Sequence, residues 1–291
     1  MKFGGPSRPV LAARDFRLLR DFILERAGLD FEESSMRAFE RRLGDRIVEL
    51  GMESFYDYYK YLRFDVQAES EFEYALERIT TAETYLFRQE YQLRAFRDEV
   101  LPALHRAHNA SRRLVLWSAG CSTGEEVYTL AIILAESGLF QDWSVRVIGS
   151  DLSRERVASA RRGVFRETSF RTASWLKGRY FTEAADGWHA TPEIKSMCHF
   201  GQLNLSEPGA MVAVGRVDAV FCRNVLIYFG QKARAQVIEG LYQRLKPGGY
   251  LFLGHSESLL NVTTAFELVH LTEDLVYRKP LTVNTHSYPR T

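Results

Sequence analysis

The stretch 112–131, RRLVLWSAGCSTGEEVYTLA, constrains the fold more than any other part of the chain. Residues 114–118 are a short, uncharged apolar run, the pattern of a strand buried on both faces of a parallel sheet. Gly120 and Gly124 then bracket a loop of small residues, and Ser122 and Thr123 each stand three residues before a glutamate, Glu125 and Glu126. That is capping-box spacing, so a helix is expected to begin there. Strand, glycine loop and helix N-terminus together make the place where open α/β sheets bind nucleotide-like ligands, beyond the carboxyl ends of the strands.

The loop spacing separates two kinds of ligand. A dinucleotide site calls for G-x-G-x-x-G, because bare backbone amides must close on a pyrophosphate. This loop reads G-x-x-x-G and is followed at once by two carboxylates. Anions at a helix start repel a phosphate and suit a ligand with a positive charge, such as the ammonium or sulfonium of S-adenosylmethionine. Glu125 and Glu126 can also act only as caps, and capping is compatible with ligand contact. A second apolar strand, 145–149, ends at Ser150 and Asp151, where nucleotide-binding sheets place an acidic acceptor for the ribose hydroxyls. The plainer role of Asp151 is a helix cap, but Ser153 can cap the helix expected over 154–162 alone, which favours the ribose role.

Around this centre the chain divides. Residues 11–79 are helical in pattern: Phe16, Leu19 and Ile23 share one face; Met36, Phe39, Leu43, Ile47 and Leu50 repeat at three and four; Phe55, Tyr58 and Leu62 come after a stop at Gly51; Phe72, Leu76 and Ile79 continue. A bundle of about four short helices is expected, too small to stand confidently alone and so docked on the remainder of the chain. Arg37, Arg41, Arg42 and Arg46 crowd the polar side of the second helix, as a solvated face or as a docking patch for an acidic helix. The linker 80–90, TTAETYLFRQE, is dense in hydroxyls and aromatics and leads into a helix over 91–107. After Gly163 the alternation of strand and helix is lost; 170–180 reads as helix, and 187–200 as short strands around a turn, an inserted β subdomain at about 180–200. The sheet resumes near Phe200 and with 217–222, then a helix over 231–245, a strand over 250–253 and a closing antiparallel hairpin at 266–269 and 275–277. The expected domains are a helical unit with linker at 1–88, an α/β unit at 89–280 and a loose tail at 281–291. This layout is α/β, a Rossmann-like class I methyltransferase sheet with an N-terminal helical domain and a small antiparallel insert.

A formal charge of +1 over 291 residues gives no whole-chain drive toward nucleic acid. Cys121, Cys198 and Cys222 form no C-x-x-C pair for zinc or redox work, so free thiols and no metal are expected. The start, MKFGGPSRPV, lacks the apolar core of a signal peptide, and the apolar run 127–135 is far short of a membrane span, so the chain reads as cytoplasmic with no membrane insertion.

Six segments carry a family resemblance. TTAETYLFR at 80–88, SAGCSTGEEVYTLA at 118–131, GSDLSRERVASARRGVF at 149–165, NL at 204–205, FCRNVLIYF at 221–229 and LKPGGYLFLGHSES at 245–258 resemble, in order and spacing, the CheR chemoreceptor glutamate methyltransferases. The helical N-terminal region, with RRLGDRIVELGMESFYDYYKYL, resembles that family's own. The resemblance implies methyl transfer from S-adenosylmethionine, leaving S-adenosylhomocysteine, to glutamate side chains on the helical cytoplasmic part of chemoreceptors. Carried over by position, it implies that Thr84, Arg88, Glu125 or Glu126, Asp151, Asn204, Leu205, Arg223 and Asn224 hold the cofactor. The family commonly has asparagine where this chain has Ala82, so one hydrogen bond to the cofactor is missing or replaced, a loss on the order of 1 kcal/mol.

The chemistry agrees. A carboxylate is ionised near neutral pH and a sulfonium is a strong electrophile, so no general base is needed and alignment in a dry pocket carries the acceleration. Tyr228, just beyond Arg223 and Asn224, is placed to steer the incoming glutamate by its hydroxyl; its other role is a core aromatic beside Phe229. The rival classes are a non-catalytic module that binds S-adenosylmethionine, which Ala82 alone supports, and a small-molecule or RNA methyltransferase. The near-neutral charge and the lack of a basic aromatic strip stand against RNA.

Overall fold

The computed structural model describes residues 8–80 and 83–281. Four helices come first: α1 (Ala13–Ala27), α2 (Met36–Glu49), α3 (Phe55–Phe64) and α4 (Glu69–Ile79). The apolar steps read from the sequence are their inner faces. Phe16, Leu19, Phe39, Leu43, Phe55, Tyr58, Phe72 and Leu76 are among the buried side chains, while Met36 and Leu50 are half-buried against the same core. Local signals set the ends: Ser54 caps α3 by accepting the Asp57 amide at 3.1 Å, and α1 closes at Gly28 in the left-handed region.

The α2 arginines do not all face solvent, which corrects the expectation of one outward basic side. Arg37 and Arg41 are exposed. Arg42 donates to the Ile79 carbonyl at the end of α4 (2.8 Å), and Arg46 pairs with Glu71 of α4 (2.7 Å). Because α2 packs against α4, these two long side chains reach polar groups of that helix, Arg42 the carbonyl that ends it and Arg46 the buried Glu71 carboxylate.

A helix expected over 91–107 is present as α5 (Glu90–Ala95) and α6 (Leu101–His108), joined by a π-helical turn at Phe96–Val100. Then come β1 (Arg113–Ala119), α7 (Glu125–Ser137), β2 (Ser144–Asp151) and α8 (Arg154–Arg162). Next is a three-stranded antiparallel insert of β3 (Val164–Phe165), β4 (Phe181–Ala184) and β5 (Gly187–Ala190). The chain returns through α9 (Pro192–Met197), β6 (Cys198–Gln202), β7 (Val217–Cys222), α10 (Gln231–Arg244), β8 (Leu245–Leu253), β9 (Glu267–His270) and β10 (Leu275–Arg278).

Two local expectations are corrected here. Residues 170–180 form short 3-10 turns rather than one helix: the Ser169 carbonyl takes the amide of Leu86 from the linker, and Ala173 turns back to Phe170. Residues 191–200 do not extend the insert. Pro192 starts a helical turn, and Cys198–Gln202 pairs in parallel with β2 as the outer strand of the main sheet. Short apolar runs do not reveal which sheet they join, so sequence pattern alone merges the two sheets.

The main sheet has the order β6-β2-β1-β7-β8-β10-β9. With the insert set aside, its first five strands have the doubly wound order, in parallel, and β10 enters reversed between β8 and β9. On β1, Leu114 and Leu116 face one core with α5, α6, α7 and the insert, while Trp117 faces the other with the helical bundle and α10. All six residues of β7 are buried, as a central strand covered on both sides requires. Among the described residues no helix is long and apolar enough to cross a membrane.

Candidate active site

The order of strands reverses between β1 and β7, and the loops beyond their carboxyl ends open a cavity of about 460 Å³. Its floor is the loop after β1. Gly120 has φ +84°, and a Cβ there would stand 2.5 Å from Val225 Cγ2, so only glycine lets the β1 loop and the β7 loop meet. Ser122 is also left-handed, at φ +50°, and donates its amide to Asp151 Oδ2 at 2.8 Å. This curl changes the expected helix start. α7 has Gly124 as its N-cap with no side-chain cap, so Ser122 and Thr123 do not form capping boxes.

The two glutamates part company. Glu125 is buried and does not line the cavity; its carboxylate accepts the hydroxyls of Thr123 (2.7 Å), Ser169 (2.9 Å) and Thr84 (3.3 Å). It thereby ties the linker, the insert and the β1 loop together. Glu126 lines the cavity, accepting from the Ser118 hydroxyl at 2.7 Å and pairing with Arg223 at 2.9 Å. Arg223, with its side chain only 4% exposed, also donates to the Arg88 carbonyl (2.5 Å) and to Gln89 (2.8 Å). The helix start therefore presents one carboxylate, already paired, rather than two bare ones.

Asp151 forms the opposite wall. Its second oxygen accepts the Ser153 amide at 3.0 Å, while Ser153 itself caps α8 through the Arg156 amide, which leaves Asp151 free of the capping role. Burial pushes the Asp151 carboxyl above its ordinary value; nearby Arg156 and the two amides offset this only in part. Burial also pushes the Cys121 thiol well up, so it lines the cavity as a small neutral group.

Thr84, Arg88, Asn204, Leu205, Asn224 and Tyr228 line the same cavity. Arg88 donates to the Glu83 carbonyl, and the Asn204 side chain is engaged by Ser206 (2.8 Å) and the end of α1 (3.3 Å). Tyr228 ends a 3-10 turn, Leu226–Tyr228, and is half-buried. Ala82 lies outside the described residues. Sequence reasoning missed the wall given by the helical bundle: Leu76, Glu77 and Thr80 from α4 and its end, and Leu29 beyond α1. Glu77 accepts the Ser153 hydroxyl at 2.7 Å, and Arg156 donates to Thr80 at 3.1 Å, fastening α4 to α8. Glu73 and Glu77, four apart on α4, had no sequence signal to distinguish them from a solvated face.

Four buried polar side-chain atoms among the described residues lack a protein partner, and three of them, Ser122 Oγ, Arg223 Nε and Asn224 Oδ1, belong to residues of this cavity. Unpaired buried polar atoms are rare, and their concentration here fits a polar ligand completing the set.

Residues 14–80 match the family described as CheR methyltransferase, all-alpha domain, and residues 82–275 match CheR methyltransferase, SAM binding domain. The chain belongs to the CheR methyltransferase family. Chemotaxis protein methyltransferase 2 of Vibrio cholerae is 33% identical over 274 residues, covering 93% of this chain and 94% of the relative. Chemotaxis protein methyltransferase 1 of Pseudomonas aeruginosa is 33% identical over 279 residues, 92% and 98% of the two chains. The chemotaxis protein methyltransferase of Salmonella typhimurium is 30% identical over 266 residues, 90% and 89%. As a CheR methyltransferase the chain carries an S-adenosylmethionine-binding domain on the α/β sheet, and the α1–α4 bundle is the family's all-alpha domain. The residues present fit that cofactor: a carboxylate acceptor at the end of β2, an arginine paired with a carboxylate at the helix start, and orphaned donors and acceptors between them.

Proposed function

We propose that this chain methylates glutamate side chains, forming methyl esters, on the cytoplasmic helices of chemoreceptors, and so acts in the cytoplasm. The observation that carries the reading is that Tyr228 lines the same cavity as Asp151, Glu126 and Asn224, beside the main-chain turn that ends β7. Chemotaxis methyltransferases related over nine-tenths of the chain support the receptor as acceptor.

In this reading S-adenosylmethionine, when bound, supplies an electrophilic methyl group. Asp151 accepts the ribose hydroxyls, and Glu126 with Arg223 offers both signs of charge to the amino-acid end. Thr84, Arg88, Asn204, Leu205 and Asn224 complete the pocket, with Glu125 holding Thr84 from behind. Residue 82, alanine in this chain, adds no side-chain hydrogen bond. The acceptor glutamate arrives ionised, and Tyr228 orients it through its hydroxyl; no residue needs to remove a proton. The bundle wall excludes water, which strengthens every polar contact inside. Arg37 and Arg41, exposed on α2, are the part of the arginine side that can meet an acidic receptor helix.

Incubation with methyl-labelled S-adenosylmethionine and receptor cytoplasmic fragments tests the reading. Label on glutamate, released as methanol by mild base, is the expected result; no label on any fragment, from a protein that binds the cofactor, leaves a binding module instead. Asp151 gives a second expectation. Only its ionised form accepts from both the backbone and a ribose, so cofactor affinity is full at neutral pH and falls as the pH drops through the Asp151 pKa. Since burial raises that pKa, the loss begins above the ordinary aspartate value of 3.8. Asp151→Ala weakens binding by about 1–3 kcal/mol and removes the pH step. Calorimetry across the acid range checks both; an unchanged affinity in folded Asp151→Ala reduces Asp151 to a loop brace.

A further inference from the structure

Glu257 lies four residues beyond β8, outside the cavity lining, and is half-buried. Its carboxylate accepts four main-chain N–H groups. Oε2 takes those of Asn224 (2.7 Å) and Gly254 (2.6 Å), and Oε1 those of Val225 (2.9 Å) and Ile227 (3.2 Å). Three of the four belong to the turn that links β7 to Tyr228. That turn begins with Asn224 at φ +58°, a left-handed conformation that asparagine adopts more readily than most non-glycine residues.

Successive amides around a left-handed residue form a concave nest for an anion. Here the anion is built into the chain. The approach is close on the other side too: a Cβ on Gly254 would stand 2.7 Å from the Glu257 carboxylate and 2.8 Å from the Asn224 amide. An ionised carboxylate has only acceptors and about four lone-pair sites, so it matches four donors. No neutral side chain of this length can do the same. Glutamine would turn an NH₂ donor toward N–H groups and leave at least one of them without a partner.

We propose that Glu257 is a positioning residue for methyl transfer: it sets the 224–228 turn so that Asn224 and Tyr228 stand at the cavity in working register. The proposal rests on the glutamate-methylation reading, with Glu257 acting through the turn rather than by touching cofactor or acceptor.

The test compares the full-length wild-type chain with Glu257→Gln, Tyr228→Phe and the double variant. Glu257→Gln is expected to lower the methylation rate at saturating cofactor and acceptor about tenfold. The double variant is expected to be no slower than Tyr228→Phe alone, because saturating cofactor masks any loss through Asn224 and the turn then matters through the tyrosine it carries. A merely structural role multiplies the two losses, and multiplication overturns the proposal, as does a wild-type rate in Glu257→Gln. Amide hydrogen exchange, measured without acceptor, reads the same device independently of turnover. The amides of Asn224, Val225 and Ile227 are expected to lose protection in Glu257→Gln while those of β1 and α7 keep theirs; unchanged protection overturns it. If wild type methylates no fragment, the methylation reading falls, and the exchange result still decides whether Glu257 sets the turn.

Discussion

Tyr228→Phe is expected to lower the rate of glutamate methylation roughly ten- to a hundredfold while cofactor affinity holds. The change removes one hydroxyl and keeps the ring, and loss of a positioning hydrogen bond in a closed site costs about 1–3 kcal/mol, which sets that factor. The backbone under Tyr228 does not depend on the hydroxyl. Its carbonyl accepts the Asp30 amide at 2.8 Å, Gly230 donates to Gly28 at 3.2 Å, and Leu29 bridges Phe229, so the stretch after α1 in the helical domain clamps the turn from the bundle side. The phenylalanine ring is therefore expected to stay in place. Single-turnover rates together with calorimetric titration of S-adenosylhomocysteine check the split. A variant that loses cofactor binding in proportion to rate assigns Tyr228 to the cofactor pocket instead.

Arg46→Glu is expected to destabilise the helical domain by about 3 kcal/mol, the low end of the usual effect of removing one partner from a buried charge pair, because Glu71 is buried while Arg46 is partly exposed. The Glu71 side chain is 5% exposed, accepts the Tyr58 hydroxyl at 2.7 Å and is neutralised by Arg46 at 2.7 Å. The hydrogen bond to Glu71 is the main reason the Arg46 pKa is raised, and burial followed by the Glu71 charge pushes the Tyr58 phenol up as well. A glutamate at 46 sets two carboxylates against each other in a place that water reaches poorly. Thermal unfolding followed by circular dichroism is expected to show a drop on the order of 10 °C. Arg37→Glu, at an exposed position, is the comparison and is expected to stay within about 0.5 kcal/mol of wild type. Equal melting of both variants would mean that Glu71 finds another partner when Arg46 is gone.

The sequence alone determined the parts that depend on local pattern. Apolar residues three and four apart mark the inner faces of α1 to α4, because a helix presents one stripe to its core whatever that core is. The uncharged run 114–118 marks one central strand, and 217–222, apolar except for Asp218, marks another, because a strand covered on both faces carries few polar residues. The position of Asp151 at a strand end, and the motif around Arg223, Asn224 and Tyr228, likewise place those residues near the carboxyl edge of the sheet, where the cavity lies. Tertiary structure decided the rest, since it turns on which long-range partner a side chain meets. Glu125 and Glu126 are neighbours of one kind in the sequence, yet one is held by three hydroxyls behind the cavity and the other pairs with Arg223 on its wall. Arg42 and Arg46 look like Arg37 and Arg41, but α4 packs against the side of α2 that carries them, giving Arg42 a backbone carbonyl and Arg46 a carboxylate. Cys198–Gln202 could have joined the insert or the main sheet, and pairing with β2 settled it. Glu257 lies in the motif 245–258, but nothing in that stretch shows what it holds: its role exists only because the end of β8 brings it under the turn after β7, where four amides converge on one carboxylate.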